Sequence, residues 1–209
     1  MGNDSIAARE RIIDAAEECF QRYGMVRTRV EDIARAAHCS RATIYRYFEG
    51  RDEVILAVLL RESERFGHEL TQRLRQYEKF EDFLIEGVIH TVESIRSHEH
   101  FALFFSEDSI GITNSIAGGS DALFQGVSHF LAPVMQPAIE NGKMHENLDV
   151  QEVTEWILRI VLSLLSVEGP SHRNTAELRE YLRVFMLPAL TPPANLSPQV
   201  SSSSWKARS

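Results

Sequence analysis

Two short amphipathic segments separated by only three residues place the strongest limit on what this chain can fold into. Residues 30–37 and 41–48 each carry apolar side chains at helical spacing, and His38-Cys39-Ser40 stands between them. Ser40 is an N-cap candidate because its hydroxyl can accept from the unpaired backbone N–H groups of the next helix. Two short helices joined by such a turn have the spacing of a helix-turn-helix. The apolar stripes are Val30, Ile33, Ala34 and Ala37 in the first segment and Ile44 and Phe48 in the second.

Helical spacing of apolar residues continues along most of the 209 residues, and no alternating run is long enough to indicate a strand. The sequence therefore predicts an all-α fold. Thr28 and Glu31 have the spacing of a capping box at the start of the second helix. The first helix is predicted to begin near residues 3–5 and to end at Gly24, with Ile12, Ala16, Cys19 and Tyr23 on its inner face.

Helices are also predicted beyond residue 50. The fourth helix is long, with an inward stripe of Ile55, Leu59, Phe66, Leu70 and Tyr77. Later helices are predicted over 80–97, about 100–108, 120–141, 150–167 and 176–190, with a loop of sequence GITNSIAGGS before the third of these. Pro133 and Pro137 lack a backbone N–H, so we expect them to kink the helix that contains them.

The distribution of charge indicates an anion-binding patch on an acidic body. The chain has a net charge of -8, which by itself argues against a nucleic-acid partner. From Arg22 to Arg51, however, seven arginines stand against three acids, a local charge of +4. Such asymmetry is typical of proteins that bind polyanions, although a solvated charged face is an equal alternative on charge alone.

The second short helix has the residue types that contact duplex DNA. In a helix-turn-helix this helix lies in the major groove with its first residues against base edges. Arg41 can hold guanine O6 and N7, and Ala42 can approach a thymine methyl group. The hydroxyls of Thr43, Tyr45 and Tyr47 suit phosphate oxygens, as does the charge of Arg51.

The segment TRVEDIARAAHCSRATIYRYFEGRDEVILAVL resembles the DNA-binding domain of TetR-family transcriptional regulators. The resemblance covers about residues 12–60 and includes the family's Tyr-x-(His/Tyr)-Phe signature, matched by Tyr45, Tyr47 and Phe48. The chain departs from the family's usual Gly-Val-Ser turn at His38 and Cys39. We expect slight backbone strain at His38, since glycine adopts the left-handed conformation more readily, while Cys39 acts as a small apolar filler.

The resemblance implies an all-α homodimer that binds a palindromic operator and a small-molecule effector. It implies a helix-turn-helix DNA-binding domain at residues 1–52 and a helical ligand-binding and dimerisation domain at 53–190. Residues 191–209, rich in Pro and Ser, are predicted to be a disordered tail. The expected DNA-binding residues are Thr28, Arg29, Arg41, Ala42, Thr43, Tyr45, Arg46, Tyr47 and Arg51.

The C-terminal half resembles the same family more loosely. The run Trp156–Val167 is apolar nearly all round, which indicates a dimer interface, with a fully buried helix of a monomer as the alternative. The expected interface residues are Trp156, Ile160, Leu164, Leu182 and Phe185. Aromatic and methionine residues that are either core filler or the lining of a site for an apolar or aromatic molecule are Phe101, Phe104, Phe105, Phe124, Phe130, Met135 and Met144.

Other classes of function have less support from the residues. We expect no enzyme, because there is no nucleophile elbow, glycine-rich phosphate loop or paired-carboxylate motif. Solvated or core histidines explain His98, His100 and the Glu86–His90 spacing better than a metal does, so no cofactor is expected. We expect a cytoplasmic protein with no membrane partner, as two cysteines and no long apolar span indicate. An enzyme or carrier with a vestigial helix-turn-helix, and a module that docks an acidic protein, remain alternatives.

Overall fold

The computed structural model describes residues 3–97, 99–167 and 173–193. These ranges contain helices and no strand, so the all-α prediction is confirmed. Residues 194–209 of the predicted disordered tail lie outside the described residues. The helices are α1 Asn3–Tyr23, α2 Val30–Ala36, α3 Arg41–Tyr47, α4 Arg51–Leu74, α5 Phe80–Ser97, α6 Glu99–Phe105, α7 Ile110–Gly118, α8 Asp121–Glu140, α9 Val150–Ser166, α10 Thr175–Phe185 and α11 Leu187–Leu190.

The first three helices pack with the first half of α4 around one apolar core. Ile12, Ala16 and Cys19 are buried on the inner face of α1, as predicted. Gly24 ends this helix with a φ of 81°, a left-handed conformation that favours glycine. Tyr23 was wrongly predicted to face inward, because it lies in the last turn of α1 with its ring exposed.

Residue 28 does not cap α2 as the sequence suggested. The Thr28 hydroxyl donates to the backbone carbonyls of Cys19 and Gly24, at 3.1 and 2.8 Å, and its side chain is buried. The N-cap residue is Arg29, whose backbone N–H donates to the Asp32 carboxylate at 3.1 Å. The predicted Thr28–Glu31 capping box is therefore wrong, since the hydroxyl ties α2 to α1 instead.

A Schellman motif closes α2 and sets the angle at which α3 leaves it. The His38 N–H donates to the Arg35 carbonyl, and the Cys39 N–H donates to the Ala34 carbonyl at 2.9 Å. His38 adopts a φ of 51°, so the predicted left-handed backbone at this position is confirmed. Cys39 packs against the apolar core, and Ser40 then begins α3.

Helix α4 connects the first core with the rest of the molecule. Ile55 and Leu59 are buried in the first core, while Phe66 packs against the second. The predicted domain division at residues 52 and 53 falls inside this helix and stays a proposal. Tyr77, predicted to belong to the same stripe, lies beyond the end of α4 at Leu74.

Arg61 joins α4 to α1 on the face of α4 that points towards the first helix. Its guanidinium forms ion pairs with Asp14 and Glu17 of α1 and lies 3.7 Å from the Glu10 carboxylate. The Arg61 side chain is only 15% exposed, so these partners replace water around its charge. A displacement of this part of α4 therefore acts on α1 directly.

The second core lies among α5, α6 and α8–α11. The GITNSIAGGS segment, predicted to be a loop, is mostly helix α7. Ile112 and Ile116 of α7 pack on the first core, and the Thr113 hydroxyl donates to the Phe104 carbonyl at 2.6 Å. Helix α8 runs through Pro133 and Pro137, where the expected kink stays a prediction.

Candidate nucleic-acid interface and internal cavity

Helix α3 is fixed at its start and along its inner face. The Ser40 hydroxyl accepts from the Thr43 backbone N–H at 3.0 Å, so the predicted N-cap is confirmed. Ile44 and Phe48 are buried in the core between α1 and α4. This anchoring leaves the opposite face of α3 exposed to solvent. The exposed side chains are Arg41, Ala42, Tyr45 and Arg46.

Arg41 stands at the N-terminal end of this exposed face. Its Nη1 atom lies 2.8 Å from the Glu31 carboxylate, and its guanidinium lies 6.0 Å from the centre of the Tyr45 ring. A hydrogen bond with Tyr45, together with the charge of Glu31, raises the pKa of Arg41 above its ordinary value. The side chain stays largely exposed, so its donors are within reach of a ligand outside the protein.

Two further polar pairs lie at the two ends of α3. The Arg46 guanidinium donates to the Tyr47 hydroxyl at 3.2 Å and lies over the same ring. The hydroxyls of Ser40 and Thr43 lie 2.9 Å apart at the other end of the helix. Both hydroxyl-bearing side chains, Thr43 and Tyr47, are half-buried and held in place by their neighbours.

Two of the residues expected to contact DNA are used inside the protein. The buried Thr28 hydroxyl bonds to two carbonyls, as described above, which removes it from the surface. Arg51 donates through Nε to the Thr28 carbonyl at 2.9 Å and through Nη2 to the carbonyls of Met25 and Val26. Arg51 therefore holds the loop before α2, and direct contact with a phosphate is not needed to explain its position. Arg29 is exposed beside this loop.

A cavity of about 150 Å³ lies between α4, α5, α8 and α9. Of the described residues that line it, twenty carry apolar side chains, two are glycines and three carry hydroxyls. The Phe66 and Phe101 rings meet edge to face across part of its wall, with centres 5.5 Å apart. The cavity is therefore suited to apolar or aromatic molecules.

The structure places some of the predicted lining residues on this cavity and others elsewhere. Phe101, Phe105, Phe130 and Met135 line it. Phe104 is buried in the first core, and Met144 is buried in the second. Phe124 is half-buried on α8 outside the lining. Phe104 and Met144 therefore serve the protein's own packing, which was the alternative interpretation of the aromatic and methionine residues.

The sequence prediction missed the contribution of α4 to the cavity. Phe66 and Leu70 were recognised as an inward stripe, but they face the cavity together with Ser63, Gly67 and Thr71. Small and hydroxyl-bearing residues at helical spacing inside an apolar stripe were the signal that could have located it. Large apolar residues fill a core, whereas small ones leave space.

An exposed apolar surface occupies α9 and α10. Trp156 of α9 is partly exposed, and Phe185 of α10 is 66% exposed. Ile160 and Leu164 are half-buried, so α9 is not the fully buried helix of the monomer alternative. Leu182, predicted to be an interface residue, is 1% exposed and packs in the protomer's own core. Tyr181 and Val184 extend the apolar surface instead.

The residues weighed as metal ligands have other roles where they are described. The Glu86 carboxylate pairs with Arg179, and the His90 ring lies 3.2 Å from the Tyr77 hydroxyl. His98 and the side chain of His100 lie outside the described residues. In the described part of the chain, no three His, Cys, Asp or Glu residues are grouped as a metal site. No described helix is long and apolar enough to cross a membrane.

An exposed, arginine- and tyrosine-bearing α3 held on a helix-turn-helix defines a DNA-binding protein. The sequence pattern described as "Bacterial regulatory proteins, tetR family" matches residues 12–58. An uncharacterized HTH-type transcriptional regulator of Mycobacterium tuberculosis is 28% identical over 197 residues, 91% of this chain and 92% of that protein. The regulator SrpR of Pseudomonas putida is 29% identical over 145 residues, 68% of this chain and 66% of that protein.

Solved structures have the same fold. The TetR family repressor AlkX from Dietzia sp. superposes with a TM-score of 0.61 at 21% identity, covering 84% of this chain and 91% of AlkX. RolR in complex with resorcinol superposes with a TM-score of 0.63 at 17% identity, covering 90% of this chain and 92% of RolR. Residues 12–58 therefore have the sequence of a TetR-family DNA-binding domain, and over most of its length the chain is similar to HTH-type transcriptional regulators.

Proposed function

We propose that this regulator is a repressor that binds a palindromic operator as a homodimer and responds to a small apolar or aromatic molecule. The observation that carries the proposal is the exposed face of α3, where Arg41 stands at the N-terminal end of a helix anchored on its other side. A regulator of this kind works in the cytoplasm by binding rather than by catalysis.

The proposed roles on DNA follow from the side chains on and beside α3. The Arg41 guanidinium breaks its ion pair with Glu31 and binds a guanine in the major groove. Ala42 contacts a neighbouring base pair. Thr43, Tyr45 and Tyr47 bind phosphates through their hydroxyls, with Arg29 and Arg46 adding charge. Arg51 contributes by fixing the loop that precedes α2. Thr28 acts only through the packing of α2 on α1.

The proposed dimer uses the exposed apolar surface of α9 and α10. Trp156, Ile160, Leu164 and Phe185 supply its apolar contacts, together with Tyr181. A two-fold axis through this surface gives the protein the symmetry of a palindrome. The two copies of α3 would then need to lie roughly 34–36 Å apart, one turn of DNA.

The cavity is the proposed effector site. Its apolar wall supports this role, and RolR, which has the same fold, is known in a complex with resorcinol. Helix α4 contributes one wall and also carries Arg61, which is paired with α1. A ligand that displaces α4 would therefore shift the DNA-binding helices and change the distance between the two copies of α3. A saturating cavity ligand that leaves operator affinity unchanged would contradict this mechanism for that ligand.

Substitutions on α3 test the DNA-binding roles. Arg41→Ala should weaken binding to the operator by about 5- to 150-fold and relax the preference at one base pair, since a bidentate arginine–guanine contact contributes about 1–3 kcal/mol. Tyr47→Phe should weaken binding to all sequences alike, because it removes only a phosphate contact. Fluorescence anisotropy with specific and random duplexes at two salt concentrations measures both effects. Equal losses on both duplexes for Arg41→Ala would remove Arg41 from base recognition.

A further inference from the structure

We infer that the cavity takes an uncharged molecule about the size of one aromatic ring, whose hydrogen-bond acceptor pairs with the Ser63 hydroxyl. The inference rests on the proposed function because it identifies the chemical class of the effector. Its first support is the size of the site. A cavity of about 150 Å³ with aliphatic and aromatic walls matches a ligand the size of benzene.

The chemistry of the wall favours an uncharged ligand. Twenty of the described lining residues have apolar side chains, and these groups cannot replace the water around an ion. An isolated carboxylate or ammonium group moved against such a wall loses far more free energy of hydration than it regains. A neutral molecule loses little, because its ring exchanges water for apolar side chains.

The three hydroxyls of the cavity are not equivalent. Thr71 donates its proton to the Gly67 carbonyl at 2.8 Å, and Thr91 donates to the Gly87 carbonyl at 2.7 Å. Both threonines therefore present only acceptor lone pairs to the cavity. Among the described residues, the structure shows no hydrogen-bond partner for the Ser63 hydroxyl. Ser63 is thus the lining residue with a proton to donate, which selects a ligand with an acceptor.

Gly67 sets the width of the cavity beside Ser63. A Cβ atom built at Gly67 would lie 2.9–3.1 Å from three ring carbons of Phe130, which is closer than ordinary van der Waals contact. The missing side chain lets the Phe130 ring rest against α4 and leaves the cavity open. Glycine in a helix interior costs about 1 kcal/mol relative to alanine, so this close approach explains its presence in a 24-residue helix.

Three probes of nearly equal shape test the class of ligand by isothermal titration calorimetry on the full chain. They are cumene, which is apolar, acetophenone, which adds a neutral carbonyl, and benzoate, which is charged. We expect acetophenone to bind more tightly than cumene and at least about 30-fold more tightly than benzoate. Tightest binding of benzoate, or no binding of either neutral probe, would overturn the inference.

Variants test the assigned residues with matched controls. Ser63→Ala should weaken acetophenone binding by about 5–10-fold and leave cumene binding within about 2-fold, whereas Thr71→Val should leave the preference for acetophenone unchanged. Gly67→Ala should weaken both neutral probes by forcing the Phe130 ring to move. The control variant is Gly126→Ala, where an added Cβ meets no atom within 4 Å. It should leave the affinity for both neutral probes unchanged. Unchanged acetophenone affinity in Ser63→Ala would overturn the pairing with Ser63, and unchanged affinity of both neutral probes in Gly67→Ala would overturn the role of Gly67.

Measurements of operator affinity with and without ligand show whether the ligand class or the proposed function fails. Acetophenone binding that depends on Ser63, without any effect on DNA affinity, would support the ligand class and contradict the regulatory coupling. Palindrome-specific DNA binding together with a preference for benzoate would support DNA recognition and overturn the ligand class.

Discussion

His38 is the residue on which the geometry of the turn between α2 and α3 depends. Its φ of 51° places a side chain where the Schellman motif favours glycine, yet both hydrogen bonds of the motif form. The strain is therefore compensated by the packing of α2 and α3, chiefly through Ala34 and Ile44. The sequence predicted this strain through its resemblance to the TetR family, whose turn usually has glycine at the position of His38.

Substitution of His38 tests the strain directly. His38→Gly should raise the free energy of unfolding by about 0.5–1 kcal/mol, because relief of the left-handed conformation outweighs the extra freedom glycine gives the unfolded chain. Urea denaturation at fixed protein concentration measures the change. His38→Ala keeps the strain and should stay close to the original protein. Equal stabilities of the two variants would show that the backbone at this position is unstrained.

Helix α10 is docked on α5 by charge as well as by apolar contact. The Glu86 carboxylate accepts from the Arg179 guanidinium, with one bond of 3.1 Å, and both side chains lie partly or largely out of water. The hydrogen bond from Arg179 lowers the pKa of Glu86 below its ordinary value of 4.5, against the opposing effect of burial. His90 and Arg183 also favour the ionised carboxylate.

The Glu86–Arg179 pair makes the stability of the α5–α10 contact dependent on pH. Because the folded pKa of Glu86 is lowered, its contribution is fully present above pH 4.5 and is lost as pH falls towards the folded pKa. Glu86→Gln should therefore reduce the free energy of unfolding by about 1–3 kcal/mol at pH 7, and this difference should narrow in acid. Urea denaturation midpoints at several pH values measure this difference in the free energy of unfolding. Glu180→Gln, at an exposed glutamate of α10, is the control variant. A difference that is constant with pH would contradict the assignment.

Sequence patterns predicted most helices but failed where tertiary contacts decide the structure. The 3.6-residue spacing of apolar side chains was sufficient for α5 and α9, whose ends match within one residue. The composition of α7 is typical of a loop, whereas in the structure Ile112 packs on the first core and the Thr113 hydroxyl donates to the Phe104 carbonyl of α6. The sequence predicted only some of the residues that line the cavity, because the lining also depends on tertiary contacts. Which residues of α4 face the cavity is decided by how α5, α8 and α9 pack against it.

At the scale of the whole molecule, the exposed apolar surface of α9 and α10 should hold the dimer together. Phe185→Glu places a charge on this surface and should convert the proposed dimer into a monomer, with loss of tight operator binding. Analytical ultracentrifugation measures the mass. Ile6→Glu, at another exposed apolar residue on α1, serves as a control that should remain dimeric. A dimeric Phe185→Glu variant would place the interface elsewhere.

The uneven distribution of charge along the chain affects how the whole protein approaches DNA. A segment of net charge +4 on a chain of net charge -8 concentrates the attraction for DNA on the face that carries α3. The acidic remainder repels DNA and therefore opposes non-specific contact by the rest of the protein. Electrostatic attraction alone does not discriminate between sequences, so the proposed preference for a palindrome is assigned to α3.

Selection from random duplex DNA by the purified protein, repeated at two salt concentrations, tests whether this protein recognises one DNA sequence as a dimer. We expect enrichment of a palindrome whose half-sites are about one helical turn apart, bound less tightly as salt rises. Arg41→Ala should lose preference at one position of each half-site. Salt-sensitive binding without any enriched sequence would contradict the claim, since the arginine segment would then be a general anion site.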